Sequence, residues 1–277
     1  MKHVTTIKEL RAVLEELPHP IGFVPTMGFL HEGHMSLVRR AGVECASVVA
    51  SIYANPTQFA PDEDFATYPR DIPRDKVMLE AEGVDAVWIP TTEVMYPAGY
   101  QSWVTVEDVT QPLEGARRPT HFRGVTTIVS KLFNAVRPDK AFFGQKDAQQ
   151  AVVIRRMTQD LSYPIEIVVC PIMRESDGLA MSSRNTYLNT EQHQAALSLS
   201  QGLMQAQAAF ENGEGDATSL RQIVINRVNA ENLTSLQYVS CAHPDTLEEL
   251  EGDVDRCLIS LAVFVGKTRL IDNVLLG

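Results

Sequence analysis

Residues 21–54 read IGFVPTMGFLHEGHMSLVRRAGVECASVVASIYA, and this stretch decides the fold. Ile21 to Val24 is a short apolar run that stops at Pro25, and residues 46–54 form a near-continuous apolar run, as expected of a strand buried on both faces. Between the two runs, Met35 to Cys45 carries apolar residues at helical spacing. The stretch therefore predicts strand, turn, helix and strand in succession.

The same alternation continues on both sides of this stretch. A helix is predicted after the capping box that Thr6 and Glu9 form. Further helices are predicted at 75–82, 124–136 and 147–161, and further strands at 86–89, 141–143 and 165–169. Alternation over about 170 residues predicts an α/β fold with a Rossmann-like, doubly wound parallel sheet. Ligands of such sheets bind outside the carboxyl ends of the strands.

The character of the sequence changes after Pro171. Two helices, at 190–212 and 216–229, are followed by apolar strand-like runs, at 235–240, 256–265 and 270–276. We therefore predict a second, smaller α+β domain, and we divide the chain into domains of residues 1–172 and 173–277.

Composition excludes several classes of protein. The chain has 277 residues and a formal net charge of -11, which disfavours a nucleic-acid binder but leaves room for a small anionic ligand in a locally basic cleft. No apolar signal segment follows Met1, and the longest nearly apolar run, residues 258–266 with Ser260 within it, is too short to span a membrane. The cysteines are scattered without a CxxC pair: Cys45, Cys170, Cys241 and Cys257. We expect reduced thiols in a cytoplasmic protein that binds neither membrane nor nucleic acid.

The turn PTMGFLHEGH at residues 25–34 has the features of an anion site. Gly28 and Gly33 permit tight turns and the close approach of a ligand, and the helix that follows offers N–H groups and a positive dipole end. His31 and His34 flank that position and can donate hydrogen bonds to phosphate oxygens. Two alternatives are solvent-exposed turn histidines and a zinc site. Zinc is disfavoured because these histidines lie three apart around a glycine and have no obvious third ligand.

Three more polar segments follow predicted strands or open predicted helices: NPTQF at 55–59, RPTHFRG at 118–124 and FGQKDAQQ at 143–150. A fourth, MSSR at 181–184, offers two hydroxyl groups and a guanidinium to phosphates. Each segment alone also fits an ordinary polar loop with a helix cap. We expect four of their cations to form a local basic cleft on the acidic protein: Arg118, Arg123, Lys146 and Arg184.

HxGH between a strand and a helix resembles the signature of the nucleotidylyltransferase superfamily. The ordered set of motifs is similar to the pantoate–β-alanine ligase family. It comprises PTMGxLHxGH, NPxQF, YPR at 68–70, RPxHFRGV, FGxKDxQQ, DGLAMSSRN at 177–185 and RLIDN at 269–273. The sequence departs from the family pattern at Thr57, Asp71 and Gln145, where Met, Thr and Glu are common.

This resemblance implies a ligase that condenses (R)-pantoate with β-alanine. The reaction consumes ATP, requires Mg²⁺, passes through pantoyl adenylate, and yields pantothenate, AMP and pyrophosphate. The first domain is expected to bind the nucleotide and pantoate, and the second to close as a lid, with the ATP site between them. The family further implies a homodimer.

The resemblance also assigns residues by motif position. His34, His31 and Lys146 are expected to be catalytic. Gln58 and Gln150 are expected to bind pantoate, and Gln58 also β-alanine; no metal ligand is assigned. The residues expected to bind ATP are Met27, Gly28, Phe29, Leu30, His31, Glu32, Gly33, His34, Gly144, Gln145, Lys146, Asp147, Met173, Met181, Ser182, Ser183 and Arg184.

Two other functions fit parts of the pattern. One is adenylyl transfer to a phosphorylated acceptor, which the neutral side chains of Gln58 and Gln150 disfavour, since a second phosphate calls for further cations. The other is a catalytically silent nucleotide-binding protein on the same fold.

Overall fold

A computed structural model describes residues 1–61 and 63–277. The chain forms two compact units. Unit 1 comprises Met1–Gly144 and Val153–Pro171, and unit 2 comprises Gln145–Val152 and Ile172–Gly277. Residues 145–152 thus group with the C-terminal part of the chain. The predicted domain boundary at residue 172 stays a prediction.

Within the described residues, unit 1 is built on a six-stranded parallel sheet with the order β1-β4-β3-β2-β5-β6. Its strands are β1 (Lys2–Val4), β2 (Ile21–Thr26), β3 (Ser47–Ile52), β4 (Ala86–Trp88), β5 (Lys140–Gly144) and β6 (Glu166–Cys170). From β2 the chain adds β3 and β4 on one side, and later β5 and β6 on the other. This reversal between β2 and β5 confirms the doubly wound sheet predicted from the sequence.

The helices between the strands are α1 (Ile7–Leu14), α2 (Glu32–Glu44), α3 (Ile72–Ala81), α4 (Thr92–Met95), α5 (Glu114–Arg117), α6 (His121–Val136) and α7 (Ala148–Asp160). All six residues of β3 are buried, which explains the near-continuous apolar run of its sequence. In β2, Val24 packs in a core cluster with Val38 and Ala41 of α2, whereas its buried neighbour Phe23 lies outside that cluster. Successive strand residues face opposite sides of the sheet, so both faces are covered.

Unit 2 contains helices α8 (Thr190–Glu211) and α9 (Ala217–Asn229) and an antiparallel sheet. The sheet has the order β7-β8-β9, with β7 (Thr234–Ala242), β8 (Cys257–Val265) and β9 (Thr268–Leu276). Both helices and the sheet share one core, in which Leu199 and Leu203 of α8 meet Val224 of α9. The two helices approach closely at Gly202, where an added Cβ would lie 3.3 Å from the Cα of Val224. The predicted smaller α+β unit is confirmed.

The structure differs from the sequence-based elements at a few boundaries. Strand β1 was not predicted, because Lys2 and His3 are polar and exposed and only Val4 is buried, so no apolar run marks it. Helix α2 begins at Glu32 and α6 at His121, each three residues before its predicted start. Within residues 1–61 and 63–277, no helix combines the length and apolar character that a membrane crossing needs.

Candidate active site

The turn after β2 adopts a backbone that few residues tolerate. Gly28 has φ +88°, and an added Cβ would lie 2.9 Å from Cγ2 of Ile52 and 3.2 Å from Oδ2 of Asp75. Phe29 follows with φ 51°, in the left-handed region that non-glycine residues seldom occupy. Glycine at position 28 is therefore required by conformation and by space. Because it has no side chain, a ligand can approach the backbone of the turn closely.

A buried carboxylate holds this turn in place. Asp75, on α3, is 0% exposed and accepts the backbone N–H groups of Phe29 and Leu30, each at 2.7 Å. Burial raises the pKa of Asp75 above its usual value, although the two N–H groups act in the opposite direction. Nothing in the local sequence pattern around Asp75 links it to a turn 45 residues earlier, so only the structure reveals its role.

The two histidines of the motif cap helix α2 reciprocally. His31 is the N-cap residue, and its Nδ1 accepts the backbone N–H of Gly33 at 3.2 Å. Nδ1 of His34 accepts the backbone N–H of His31, also at 3.2 Å. The ring centroids lie 4.1 Å apart. This is a capping box built from imidazoles, and it places the first residue of α2 at Glu32, ahead of the apolar pattern that predicted the helix from Met35.

The capping geometry also determines which ring nitrogen carries the proton. An Nδ1 atom that accepts a hydrogen bond has no hydrogen, so a neutral ring carries its proton on Nε2. Both histidines therefore present an Nε2–H donor at the N-terminal end of α2. Together with the helix dipole, this is an arrangement suited to phosphate oxygens.

Asn55 organises the polar segment that follows β3. It is 1% exposed, and its Nδ2 donates to the carbonyl of Gly124 and to Oε1 of Gln58, both at 3.2 Å. Its Oδ1 accepts the hydroxyl of Tyr96 at 2.9 Å. Gln58, which is 9% exposed, lies with Nε2 3.1 Å from Sδ of Met27. Asn55 thus positions Gln58 next to Met27. Met27 lies in the turn of residues 27–34, which we call the histidine turn.

Helix α6 contacts this segment through a glycine. A Cβ on Gly124 would lie 2.4 Å from the carbonyl oxygen of Thr57, so only glycine allows the observed approach. At the start of the same helix, Nδ1 of His121 lies 2.8 Å from the carbonyl oxygen of Gln58. Burial, reinforced by the charge of Arg118, lowers the pKa of His121 to about 4. His121 is therefore neutral at physiological pH and donates to Gln58.

Two of the cations expected in a basic cleft have other partners. Arg118 donates to both carboxylate oxygens of Glu63, and burial, which would raise the pKa of Glu63, is outweighed by this pairing, which lowers it. The guanidinium of Arg123 lies 4.4 Å from the ring centroid of Trp103. Both side chains thus have partners within unit 1, and their place in a local basic cleft stays a prediction.

In unit 2, the main chain around Lys146 is fixed by the last strand. Gln145–Asp147 forms a 3₁₀ turn before α7. The carbonyl oxygens of Gln145 and Lys146 each accept Nδ2 of Asn273 at 2.9 Å. Lys146 is half-buried, Asp147 is exposed, and Gln150 is half-buried on the first turn of α7.

The segment from Met173 to Arg184 forms a hairpin. Met181 donates its backbone N–H to the carbonyl of Met173 at 2.9 Å, and Arg174 pairs with Ala180 across the hairpin. Ser182 caps the 3₁₀ turn Ser183–Tyr187 by accepting the N–H of Arg184. The hairpin therefore brings Met173 and Met181 side by side.

Among the described residues, one group offers three candidate metal-ligand atoms within 4.8 Å of one another: Glu175, Asp177 and His193. Nε2 of His193 lies 2.7 Å from Oδ2 of Asp177, which is a hydrogen-bond distance. This bond holds the tip of the 173–184 hairpin to the start of α8, and it lowers the pKa of Asp177. The group is therefore accounted for by a hydrogen bond that supports the hairpin.

The geometry of this site first indicates the class of protein. A glycine turn after β2, beside the reversal of the sheet and with imidazoles at the start of α2, is typical of α/β proteins that bind nucleotides. The model of the family described as pantoate-beta-alanine ligase matches residues 2–275.

Known relatives agree with this family. The chain is 56% identical to the pantothenate synthetase of Herpetosiphon aurantiacus, with all of both chains covered. It is 54% identical to that of Roseiflexus sp., over 100% of this chain and 99% of the relative. The chain belongs to the pantoate–β-alanine ligase family, which confirms the resemblance and the predicted ligase class.

Solved structures agree as well. The pantothenate synthetase of Thermus thermophilus has a TM-score of 0.95 at 43% identity, with 99% of both chains covered. The pantoate-beta-alanine ligase of Francisella tularensis, solved with beta-gamma ATP and beta-alanine, has a TM-score of 0.83 at 33% identity, covering 99% of this chain and 97% of that one.

Proposed function

We propose that this chain binds ATP at the turn of residues 27–34 and uses it to join (R)-pantoate to β-alanine. The observation that carries this proposal is the reciprocal cap of His31 and His34. It fixes both rings with Nε2–H as donor at a helix N-terminus, beside a glycine turn that lets a ligand approach the backbone closely.

The proposed reaction has two steps. A carboxylate oxygen of pantoate bonds to the α-phosphorus of ATP, and the bond from that phosphorus to the oxygen bridging to the β-phosphate breaks, releasing pyrophosphate. The amine of β-alanine then bonds to the acyl carbon of pantoyl adenylate, the bond to AMP breaks, and the amine loses a proton. Adenylation is needed because a free carboxylate is a poor electrophile.

His34, His31 and Lys146 are proposed as the catalytic residues. No proton needs to move in the adenylation step, so the imidazoles act as hydrogen-bond donors to charge that develops on the phosphates. Lys146 supplies a positive charge for the transferring phosphate. Such stabilisation by preorganised groups typically provides about 100-fold or more in rate per group.

The other residues proposed to bind ATP are Met27, Gly28, Phe29, Leu30, Glu32, Gly33, Gly144, Gln145, Asp147, Met173, Met181, Ser182, Ser183 and Arg184. The side chain of Leu30 is fully buried, so its contribution comes from the main chain. Glu32 forms an ion pair with Arg39, which lowers its pKa. Its carboxylate is therefore partly neutralised beside the phosphates.

Gln58 and Gln150 are proposed to bind pantoate, and Gln58 also β-alanine. An uncharged amide can donate to the carboxylate and hydroxyl oxygens of pantoate and accept from an amine. The buried position of Gln58, held by Asn55, supports this role, because a fixed amide loses little freedom when a substrate binds.

The family resemblance implies Mg²⁺, and two carboxylates belong to or contact the histidine turn. Glu32 pairs with Arg39, and Asp75 is buried and accepts two backbone N–H groups. Neither fits a metal ligand, so we propose that Mg²⁺ is carried by the ATP phosphates. A homodimer, a cytoplasmic location and the lid role of residues 173–277 are proposed from the resemblance alone.

One assay tests the function. Purified protein is incubated with ATP, pantoate and β-alanine, and with each substrate omitted in turn, while AMP and pyrophosphate are measured. We expect AMP and pantothenate with all three substrates, and enzyme-bound pantoyl adenylate with pyrophosphate when only β-alanine is missing. ATP binding without pantoate-dependent pyrophosphate release would instead favour a silent nucleotide-binding protein, and turnover with a phosphorylated acceptor would favour an adenylyltransferase.

A further inference from the structure

The dipeptide Asp272–Asn273 lies in the RLIDN motif near the C-terminal end of the chain. It belongs to β9, an edge strand of the unit 2 sheet, and both residues are 2% exposed. Side chains alternate along a strand, so Asp272 shares the face of the core residues Leu270 and Leu276, and Asn273 faces the other side. Two polar side chains buried on opposite faces of one edge strand require partners on both sides.

Both polar atoms of the Asn273 side-chain amide form hydrogen bonds with the turn that contains Lys146. Nδ2 donates to the carbonyls of Gln145 and Lys146, both at 2.9 Å, and Oδ1 accepts Nε2 of Gln145 at 3.0 Å. Two successive peptide units are thereby fixed. Since the main chain sets the direction of the Cα–Cβ bond, the amide of Asn273 determines where the lysine side chain starts.

Asp272 holds the second segment proposed to bind ATP. Its carboxylate accepts both terminal nitrogens of Arg174, at 2.7 and 3.1 Å. Arg174 also donates to the carbonyl of Gly178 at 3.2 Å, so it braces the hairpin from within. The bidentate pair fixes the orientation of the guanidinium as well as its charge. Arg174 adjoins Met173, whose carbonyl bonds Met181, the residue before Ser182.

We propose that Asp272 and Asn273 are positioning residues for the adenylation step. Asn273 orients Lys146, and Asp272 orients the hairpin that leads to Ser182 and Arg184. One dipeptide can serve two separate segments because its side chains leave the strand in opposite directions. This inference rests on the proposed function, since it assigns the two segments to ATP.

The test of Asn273 is a double-mutant cycle in single-turnover formation of pantoyl adenylate. Asn273→Leu leaves two carbonyls unpaired, and we expect the rate to fall on the order of 10- to 100-fold, as for small misplacements of a catalytic group. In the Lys146→Ala background the same change is expected to cost less than about threefold, because the group being oriented is gone. An equal fold-loss in both backgrounds would refute a role through Lys146.

Ser260→Ala is the matched control. Ser260 is Asn273's partner in the β8–β9 ladder, is 7% exposed, and its hydroxyl has no hydrogen-bond partner among the described residues. We expect its adenylation rate to be unchanged. Should Asn273→Leu not fold, Asn273→Ser replaces it. The smaller serine side chain retains one hydrogen-bond donor. We therefore expect the rate of adenylate formation to fall, but by less than about 100-fold.

Asp272 is tested by Asp272→Asn, which keeps the size of the side chain and removes its charge. We expect the KM for ATP in adenylate formation to rise about 10-fold, as bidentate binding of Arg174 is lost. A merely destabilised enzyme would show less active protein with an unchanged KM, and that result would overturn the role. Wild-type protein without pantoate-dependent pyrophosphate release would refute the proposed function, whereas active wild type with equally active Asn273→Leu would refute only this inference.

Discussion

Oδ2 of Asp75 lies 2.7 Å from the backbone nitrogen of Phe29, a residue with φ 51° in the turn that precedes the two histidines. The carboxylate is fully buried and is on a helix that is remote in sequence. Its hydrogen bonds therefore stabilise a backbone conformation that the turn would not hold unaided.

Asp75→Asn is expected to destabilise this turn. An amide offers only one oxygen, so one of the two N–H groups of Phe29 and Leu30 faces a donor. The loss of a buried hydrogen bond predicts a decrease of about 1–3 kcal/mol in the free energy of unfolding. ATP affinity should fall as well, and urea unfolding with an ATP titration measures both.

Asp71→Asn is the control on the same helix. Asp71 is the N-cap of α3 and accepts the N–H of Arg74 at 3.1 Å. Asparagine caps a helix about as well as aspartate, so a change below about 0.5 kcal/mol is expected. If Asp75→Asn proves as mild as Asp71→Asn, the carboxylate does not hold the turn.

His31 combines two roles that substitution can separate. His31→Asn keeps a good N-cap and removes the Nε2–H donor, so we expect unchanged stability and a fall of about 100-fold or more in the rate of adenylate formation. His31→Ala removes both and should also lower the free energy of unfolding by about 1 kcal/mol. Stopped-flow detection of pyrophosphate together with thermal unfolding distinguishes the two. Near-normal adenylation by His31→Asn would contradict the catalytic assignment.

Gly124→Ala tests the contact between α6 and the segment of Gln58. The new methyl group would lie 2.4 Å from the carbonyl oxygen of Thr57, so the segment must move away. We expect the KM for pantoate to rise about 10-fold, since misplacement of a binding group weakens substrate positioning. Steady-state kinetics with varied pantoate measures this.

Gly42→Ala, in α2, is the control for Gly124→Ala. The nearest atom to an added Cβ there, outside the backbone of its own helix, is Cγ2 of Val48 at 4.0 Å, so the methyl group fits. Alanine is the better helix former by about 1 kcal/mol, and this variant should be neutral or slightly stabilised with an unchanged KM. A shifted KM in Gly42→Ala would mean that helix glycines affect pantoate binding for another reason.

The lowered pKa of His121 predicts that the stability of the protein depends on pH. The unfolded chain binds a proton at this residue below its usual pKa of 6.5, whereas the folded chain resists protonation down to about 4. Because the unfolded state holds more protons in that window, stability falls as the pH drops from about 6.5 to about 4. The contribution is at most about 3 kcal/mol, since part of the residue still contacts solvent.

His121→Asn removes the titration and keeps a donor for the carbonyl of Gln58. Urea unfolding of both proteins between pH 7 and pH 4.5 should show a steeper decline for wild type. Parallel declines would mean that His121 titrates normally in the folded protein.

Local sequence patterns anticipated the longer elements but not the short β1, α4 and α5, and not all of the ends. Helix α2 begins three residues before its apolar pattern, because Glu32, Gly33 and His34 add nothing to that pattern, and only the structure brings Nδ1 of His34 to the N–H of His31. The sequence shows the charge of Arg118 but not the carboxylate that pairs with it. Its partner Glu63 lies 55 residues away.

The sequence by itself determined the alternation of strands and helices, the histidine turn and its place after a buried strand. These properties follow from periods of two and 3.6 residues and from glycine and proline, all of which act over a few neighbours. Only the tertiary structure decided that Asp75 holds the histidine turn and that Asn273 holds the turn of Lys146, 127 residues earlier. Such contacts depend on strand order and on which side chains become buried together, and no spacing along the chain encodes them.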